Sequence, residues 1–121
     1  MPWNPSRTEE SKVLGIKVTI ERFTQEWQPG WVQCRFVDAA GKSHVFEEKV
    51  PVVSDENLDA TSEYPRSGII GCQVVGSGVA SDGRPVVIVD TEQPWGIESK
   101  AGETRFEVLP EQVIEFNHGA G

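Results

Sequence analysis

The amino-acid sequence predicts an all-β protein, either a small antiparallel barrel or a sandwich, with six or seven strands. Apolar and polar residues alternate with a period of two over several short segments, which places the apolar side chains on one face of each strand. Three short turns that contain a late glycine join such segments, as in antiparallel hairpins. No apolar stripe with the helical period of 3.6 residues is long enough to predict a helix.

The first strand is the clearest one in the chain. Leu14, Ile16, Val18 and Ile20 alternate with glycine and polar residues, so their four side chains share one face. The same alternation in later segments predicts a single core. Its expected members are Leu14, Ile16, Val18, Ile20, Val32, Phe36, Phe46, Val87, Val89, Phe106 and Val108.

A turn over residues 38–42 joins the second and third strands. Its three-residue loop ends in glycine, which suits a type I turn followed by a glycine in the left-handed conformation and a bulge. If the first and last residues of this turn face each other, Cys34 faces Phe46 and Phe36 faces His44. The turn therefore predicts the register of the whole hairpin.

Two further turns of this type lie at residues 80–84 and 99–103. The second of them predicts a strand near residues 95–98 before it and another at 104–108 after it. The Gly-Ser-Gly stretch at residues 76–78 precedes a turn and a strand, whereas a dinucleotide-binding loop precedes a helix. We therefore interpret this stretch as a bulge or bend.

A chain of 121 residues is the length of one domain, which we predict over residues 12–116. The polar segment 1–11 and the tail 117–121 are expected to be flexible. The connection over residues 51–67 is long, and such a connection is either functional or an ordinary solvated crossover. No apolar run reaches the ~18 residues of a membrane span, and the amino terminus lacks a secretory signal. We expect a cytoplasmic protein with no membrane contact.

Two patterns mark the carboxyl-terminal part. Residues 95–103 combine a tryptophan segment with a glycine turn, and residues 108–115 carry an apolar-Pro-x-x-apolar-apolar pattern. Together they cover about a fifth of the chain and resemble the last hairpin of an SH3-like barrel, where a one-turn 3₁₀ helix leads into the closing strand. In peptide-binding members of that family the matching positions line a groove for proline-rich ligands, and the resemblance assigns Trp95 and Pro110 to it. The aromatic motif that begins that groove is absent from residues 14–23.

The charge is distributed unevenly. The chain has 11 Lys and Arg against 19 Asp and Glu, so its formal charge is −8. Residues 1–50 hold seven bases and seven acids, whereas residues 51–121 hold four bases and twelve acids, which gives 4 − 12 = −8. A net-negative domain without a basic run would repel a polyanion, so we predict no nucleic-acid partner. The acidic excess serves either solubility or steering toward a basic partner.

No catalytic constellation is visible. The two histidines lie beside a hairpin turn (His44) and in the tail (His118), and no pattern links either to a nucleophile. Cys34 and Cys72 lie in apolar strand-like segments, which predicts buried reduced thiols, with a bridge between strands as the alternative. The spacing of the acids matches no EF-hand and that of the cysteines matches no zinc site. We predict no catalytic residue, no cofactor and no metal.

The turn between the first and second strands carries two tryptophans, Trp27 and Trp31. An aromatic side chain on a turn is either a lid over the barrel end or an exposed contact residue. We favour the lid.

The sequence favours a binding or inhibitory module over an enzyme. Residues 47–63 hold six acids against one base, Lys49, and the chain's only tyrosine follows. Such a segment suits a basic protein partner, as for an immunity-type inhibitor, with the tyrosine as a central anchor. The predicted partner-binding residues are Glu47, Glu48, Asp55, Glu56, Asp59, Glu63 and Tyr64.

The alternative is a small-ligand carrier, or an enzyme, with its site in the barrel mouth. Trp95 and Pro110 are the ligand-binding residues of this alternative. The sequence leaves the oligomeric state open.

Overall fold

The structure, a computed structural model, describes residues 12–27 and 29–117. They form one antiparallel sheet of seven strands, curled into a half-barrel, which confirms the all-β prediction. The predicted flexible segments 1–11 and 117–121 lie outside the described residues, apart from Asn117. The elements are β1 (Lys12–Gln25), β2 (Trp31–Val37), β3 (Ser43–Lys49), the short helix α1 (Val50–Val53), β4 (Arg66–Val79), β5 (Pro85–Asp90), β6 (Arg105–Val108), a 3₁₀ helix (Pro110–Gln112) and β7 (Val113–Asn117).

The long strand β1 organises the sheet. The strand order is β3-β2-β1-β4-β5-β6, and β7 also pairs with β1. Leu14 has Cys72 of β4 on one side and Glu115 of β7 on the other. Further along, Ile20 has Arg66 of β4 and Cys34 of β2 as its neighbours. Because β1 gives its second edge first to β7 and then to β2, the sheet can curl around one core.

Loop contacts connect the two ends of the curled sheet. The Ala39 backbone N–H in the β2–β3 turn donates to the Glu107 carbonyl of β6, at 2.9 Å. The Lys100 N–H donates to the Val45 carbonyl of β3, at 2.8 Å. Gln112 of the 3₁₀ helix donates from Nε2 to the Val37 carbonyl at 2.8 Å. These bonds satisfy backbone groups that a half-open sheet would otherwise leave unpaired.

The core lies on the concave face of the sheet, as the alternation predicted. Nine of the expected core residues are buried, and Leu14 and Val87 pack against them while half-buried. An aromatic cluster fills the side of the core nearest the β2–β3 hairpin. The Phe36 ring meets Phe106 edge-on at 5.3 Å between centroids and stacks on Phe46 at 5.9 Å. Offset and edge-on arrangements of this kind add to the stability gained by burial.

The predicted register of the β2–β3 hairpin is confirmed. Cys34 pairs with Phe46 and Phe36 with His44, and the turn closes with Asp38 N–H donating to the Lys42 carbonyl at 2.8 Å. The glycines that end the three predicted turns have φ between 82° and 89°, the left-handed conformation that the turn type requires. The stretch 76–78, interpreted as a bulge or bend, instead pairs in regular register with residues 86–88 of β5, and the only register shift between these two strands lies just before it, between Val74 and Gly76.

The prediction of a strand near residues 95–98 is wrong. This segment is a turn followed by irregular chain, although the glycine turn at 99–103 after it is present. Gly96 has a φ of 67°, which extended chain does not adopt, and its N–H donates to the Glu92 carbonyl at 2.7 Å. The buried Thr91 hydroxyl then holds the segment by donating to the Ile97 carbonyl at 2.6 Å. Local turn bonds therefore replace strand pairing here.

The four-residue helix α1 was not predicted. Pro51 stands in its first turn, where a missing N–H costs nothing. Val50 and Val53 are buried, and the Val50 N–H donates to the Gly30 carbonyl at 2.9 Å. This bond ties the start of the long connection to the turn between β1 and β2, which positions the site described next.

Candidate functional site

A groove of about 1350 Å³ lies between the β1–β2 turn, α1 with the connection after it, and the start of β4. Apolar side chains at its base include Phe23, Val53, Leu58, Ile69 and Phe116. Leu58 is buried in the core, so it fixes the connection to the body of the protein. The remaining lining comes mainly from residues 54–61 and from the β1–β2 turn.

All charged residues that line this groove are acids. They are Glu26 from the β1–β2 turn and Asp55, Glu56 and Asp59 from the connection. Neither Lys nor Arg is among the described lining residues. We call this feature the acidic groove. Carboxylates gathered along one concave surface produce a negative potential that attracts cationic groups.

The connection that carries three of these acids is held by its own hydrogen bonds. Asp59 Oδ1 accepts from the Thr61 N–H at 2.9 Å and from the Thr61 hydroxyl at 2.7 Å. These bonds hold the pKa of Asp59 below its ordinary value, so this carboxyl is ionised at neutral pH. The Tyr64 hydroxyl donates to the Asp59 carbonyl at 2.8 Å. The loop therefore presents its acids in a defined arrangement.

The acids differ in how far they are already neutralised. Glu56 pairs with Arg66, with 2.8 Å between Oε1 and Nη2. Within the described residues, neither Glu26 nor Asp55 forms an ion pair or a side-chain hydrogen bond, and both are exposed. Glu26 and Asp55 are therefore the carboxylates most available to an external cation.

Trp27 lines the same groove with 72% of its surface exposed. The expectation of a lid is therefore wrong for this residue. An indole exposed to this degree beside carboxylates offers a large apolar surface together with a face that attracts cations. Trp31 differs, since it is half-buried and its ring lies 5.8 Å from Lys49 Nζ.

The structure brings together some of the predicted partner-binding residues. Asp55, Glu56 and Asp59 line the acidic groove. Glu63 and Tyr64 are on the same connection but do not line it. Tyr64 is half-buried against the core, and its bond to the loop gives it a structural part.

Glu47 and Glu48 lie on β3, outside the groove lining, and their side chains face opposite sides of the strand. The pKa of Glu47 lies below its ordinary value despite partial burial. The larger cause is the Thr24 side chain, and the smaller one is the Gln25 amide, whose Nε2 lies 3.4 Å from Glu47 Oε2. Glu48 follows His44 and Phe46 on the core side of the strand. Burial there raises the pKa of Glu48, and the nearby Lys49 offsets this only in part.

The residues of the alternative hypothesis lie elsewhere. Trp95 is half-buried and covers Gly71, with its ring centroid 6.3 Å from that of Phe116. Pro110 is exposed at the start of the 3₁₀ helix. Neither residue lines the acidic groove.

His44 is a buried polar side chain beside a concavity, yet its surroundings do not suit catalysis. It is 6% exposed, and its ring lies 4.7 Å from that of Phe106. Its Nε2 lies 2.8 Å from Asp38 Oδ2, and its Nδ1 lies 3.4 Å from Glu103 Oε1. Because both ring nitrogens face carboxylates, neither is open to a substrate proton. The small cavity beside it, about 300 Å³, has Ser99, whose hydroxyl accepts backbone N–H bonds of its own turn.

Both cysteines are buried and free, so the alternative of a bridge between strands is wrong. Burial raises the pKa of Cys34 to about 12 and that of Cys72 to about 11. A thiol with such a pKa carries almost no thiolate at neutral pH and is a poor nucleophile.

The sequence pattern did not predict that Glu26 and Trp27 line the same groove as the acids of the connection. Their turn and residues 54–61 are separated by more than twenty positions and by two strands. The bond between Val50 and Gly30 brings them together, and no short-range pattern announces a backbone contact of this kind.

Comparison with protein-family models, with curated proteins and with solved structures gave no match. In the described part of the chain, no group of three His, Cys, Asp or Glu side chains is arranged to hold a metal ion. The described helices are all too short or too polar to cross a bilayer.

Proposed function

We propose that this chain is a small acidic, non-catalytic binding module that receives a basic segment of a partner protein in the acidic groove. The observation that carries the proposal is the groove itself, whose charged lining is entirely acidic and whose rim holds the exposed Trp27. Aromatic anchors surrounded by complementary charge are typical of energetically important interface positions. An inhibitory, immunity-type role is the form of this function that the charge favours. We further propose an SH3-like barrel as the parent fold, since a 3₁₀ helix leads into the last strand.

The partner's chemistry follows from the groove. A Lys or Arg side chain can lie across the Trp27 indole while its charge approaches Glu26 or Asp55. The apolar base accommodates an aliphatic or aromatic neighbour of that basic residue. The expected ligand is a segment that mixes basic and apolar residues. The carrier alternative is not proposed, because Trp95 and Pro110 lie outside this groove.

A titration with defined peptides tests the proposal. The probe is a short fluorescent peptide in which Lys alternates with Leu, and its counterpart carries Glu in place of Lys. We expect the basic peptide to bind, and the double variant Glu26→Gln/Asp55→Asn to weaken that binding about tenfold. The Trp27→Ala variant should weaken it as well, while leaving the free energy of unfolding within about 0.5 kcal/mol of the unmodified protein.

A matched control separates the groove from diffuse attraction to an acidic protein. The variant Glu98→Gln/Glu111→Gln removes the same two charges from exposed positions outside the groove. It should retain the affinity for the basic peptide. Equal weakening by the two double variants, or equal binding of the two peptides, would contradict the proposal. The association rate should also fall as salt shortens the screening length from ~30 Å to ~8 Å.

A further inference from the structure

Arg66 neutralises one acid of the acidic groove. It is the first residue of β4, and its Nη2 lies 2.8 Å from Oε1 of Glu56 on the connection. Among the residues that the structure describes, the other three acids that line the groove form no ion pair. Arg66 is also the only base between Lys49 and Arg84. A cation of the chain itself therefore offsets part of the groove's charge before a partner arrives.

The pair between Glu56 and Arg66 is accessible to an external cation. The Glu56 side chain is 53% exposed, and the Arg66 side chain is 30% exposed. An ion pair at such a position contributes little to stability, because water solvates both charges when it opens. Arg66 has a second contact on the connection, since its Nη1 donates to the Glu63 carbonyl at 3.3 Å. Arg66 can therefore release Glu56 while it stays bound to the connection.

We propose that Arg66 is an internal competitor of the partner protein, and that an arginine of the partner replaces it on Glu56. The inference rests on the function proposed above for the acidic groove, because it requires a basic segment to enter. In the free protein, Glu26 and Asp55 are the carboxylates open to a cation. In the complex, Glu56 becomes the third. Arg66 thereby disfavours cations that bind Glu56 less well than a guanidinium does.

The exchange favours arginine over lysine as the entering residue. An arginine replaces one guanidinium–carboxylate bond by another of the same kind and can donate two parallel N–H bonds, whereas lysine is a more strongly hydrated point charge. A planar guanidinium also stacks on an indole, and the exposed Trp27 lines the same groove. We therefore expect the partner to present arginine next to apolar residues.

Removing the competitor tests the proposal. The probes are the fluorescent peptide of alternating Lys and Leu, and the same peptide with Arg in place of every Lys. Arg66→Gln leaves Glu56 unpaired, so we expect it to strengthen the binding of either peptide about tenfold. The double variant Arg66→Gln/Glu56→Gln should lose that gain. In the unmodified protein, the Arg peptide should bind more tightly than the Lys peptide, and equal affinities would contradict the exchange.

A matched control separates the contact in the groove from the change in net charge. Arg105→Gln also removes one arginine from an ion pair, because Arg105 Nε lies 3.0 Å from Asp90 Oδ2, and both residues lie outside the groove lining. It should change the affinity for either peptide by less than about twofold. Equal gains from Arg66→Gln and Arg105→Gln would overturn the proposal, and so would an Arg66→Gln variant that binds no more tightly than the unmodified protein.

A second measurement follows the exchange in the unmodified protein. NMR of the guanidinium N–H groups distinguishes an arginine that keeps its carboxylate from one that loses it. Saturation with the Arg peptide should shift the Arg66 signal and leave the Arg105 signal in place. An Arg66 signal that stays unchanged at saturation would overturn the proposal, although the groove would still bind basic segments. If neither peptide binds the unmodified protein or the Arg66→Gln variant, the proposed function fails and the exchange fails with it.

Discussion

At the scale of single residues, the adjacent acids Glu47 and Glu48 show how one position along a strand reverses the effect of a carboxylate. Glu47 lies toward Thr24 and Gln25, and these contacts lower its pKa. Glu48 lies on the core side, and burial raises its pKa. Folding therefore favours the ionised form of Glu47 and disfavours the ionised form of Glu48, relative to an exposed glutamate.

Replacing each of them by glutamine should give opposite results. Glu48→Gln removes a partly buried charge, so we expect the free energy of unfolding to rise by about 1 kcal/mol at pH 7. Glu47→Gln should lower it by about 0.5–1 kcal/mol, since an amide is a weaker acceptor than a carboxylate. Urea unfolding at pH 7 measures both.

The pH dependence of the Glu48→Gln difference checks its cause. The raised pKa of Glu48 in the folded state does not destabilise the protein at pH values below the pKa of this residue in the unfolded chain, because Glu48 is then protonated in both states. The cost grows as the pH rises through the folded pKa. The advantage of Glu48→Gln should therefore shrink below about pH 4. An advantage that persists there would assign the effect to packing instead.

At the scale of elements, the turns were more predictable than the segments that precede them. A glycine after two turn-forming residues determines the local backbone by steric preference alone, so the β2–β3 register followed from Gly41. The segment 95–98 was expected to be a strand because the glycine turn at 99–103 follows it. Its conformation depends on Thr91 and Gly96, whose hydrogen bonds a turn motif further along the chain does not reveal.

Gly71 of strand β4 is in close contact with Trp95, and the sequence pattern does not predict this contact. A Cβ atom on Gly71 would lie 2.5 Å from Cζ3 of Trp95, which is inside van der Waals contact. The indole can cover β4 only because this position has no side chain. We therefore expect Gly71→Ala to lower the free energy of unfolding by about 1–3 kcal/mol through overpacking.

Gly78→Ala is the matched control on the same strand. A Cβ atom there would have Val86 as its nearest neighbour at 3.8 Å, an ordinary contact. Alanine at this position should be neutral or stabilise by about 0.4–1 kcal/mol, since it restricts the unfolded chain. Thermal and urea unfolding of the two variants compare them directly. Similar losses in both would show that β4 needs glycine for reasons other than Trp95.

At the scale of the whole molecule, the sequence predicted the charge of the acidic surface but only part of its composition. Composition located the excess in residues 51–121, and three of the groove's acids lie there. The other acid, Glu26, and the exposed Trp27 belong to the electrically balanced half of the chain. Their contribution depends on how the long connection folds back toward the β1–β2 turn, and that follows from tertiary contacts.

The distribution of carboxyl pKa values makes stability depend on pH over the whole molecule. Asp38 is an informative case. Burial opposes its ionisation, but hydrogen bonds from His44 and from the Lys42 and Ala40 backbone outweigh burial, so the pKa of Asp38 lies below its ordinary value of 3.8. Glu21, hydrogen-bonded to Arg35 and Gln33, is shifted in the same direction. A carboxyl group whose pKa is lowered in the folded state stabilises the protein at pH values above its pKa in the unfolded chain. That stabilisation is lost as the pH falls through the pKa of the folded state.

The net charge of −8 acts in the opposite direction. Repulsion among the acidic side chains destabilises the folded protein at neutral pH, and this repulsion falls as the pH approaches the isoelectric point near 4.7. We therefore expect maximal stability between about pH 5 and 7, with a steep loss below about pH 4.

Asp38→Asn should lower the free energy of unfolding by about 1–3 kcal/mol at pH 7, because the bonds to a charged acceptor are lost. That cost should vanish in acid, where Asp38 itself is protonated. Asp55→Asn is the control, since Asp55 forms no ion pair among the described residues, and urea midpoints from pH 3 to 8 measure all three proteins. If the Asp38→Asn and unmodified proteins lose stability in parallel down to pH 3, the hydrogen bonds around Asp38 do not govern acid unfolding.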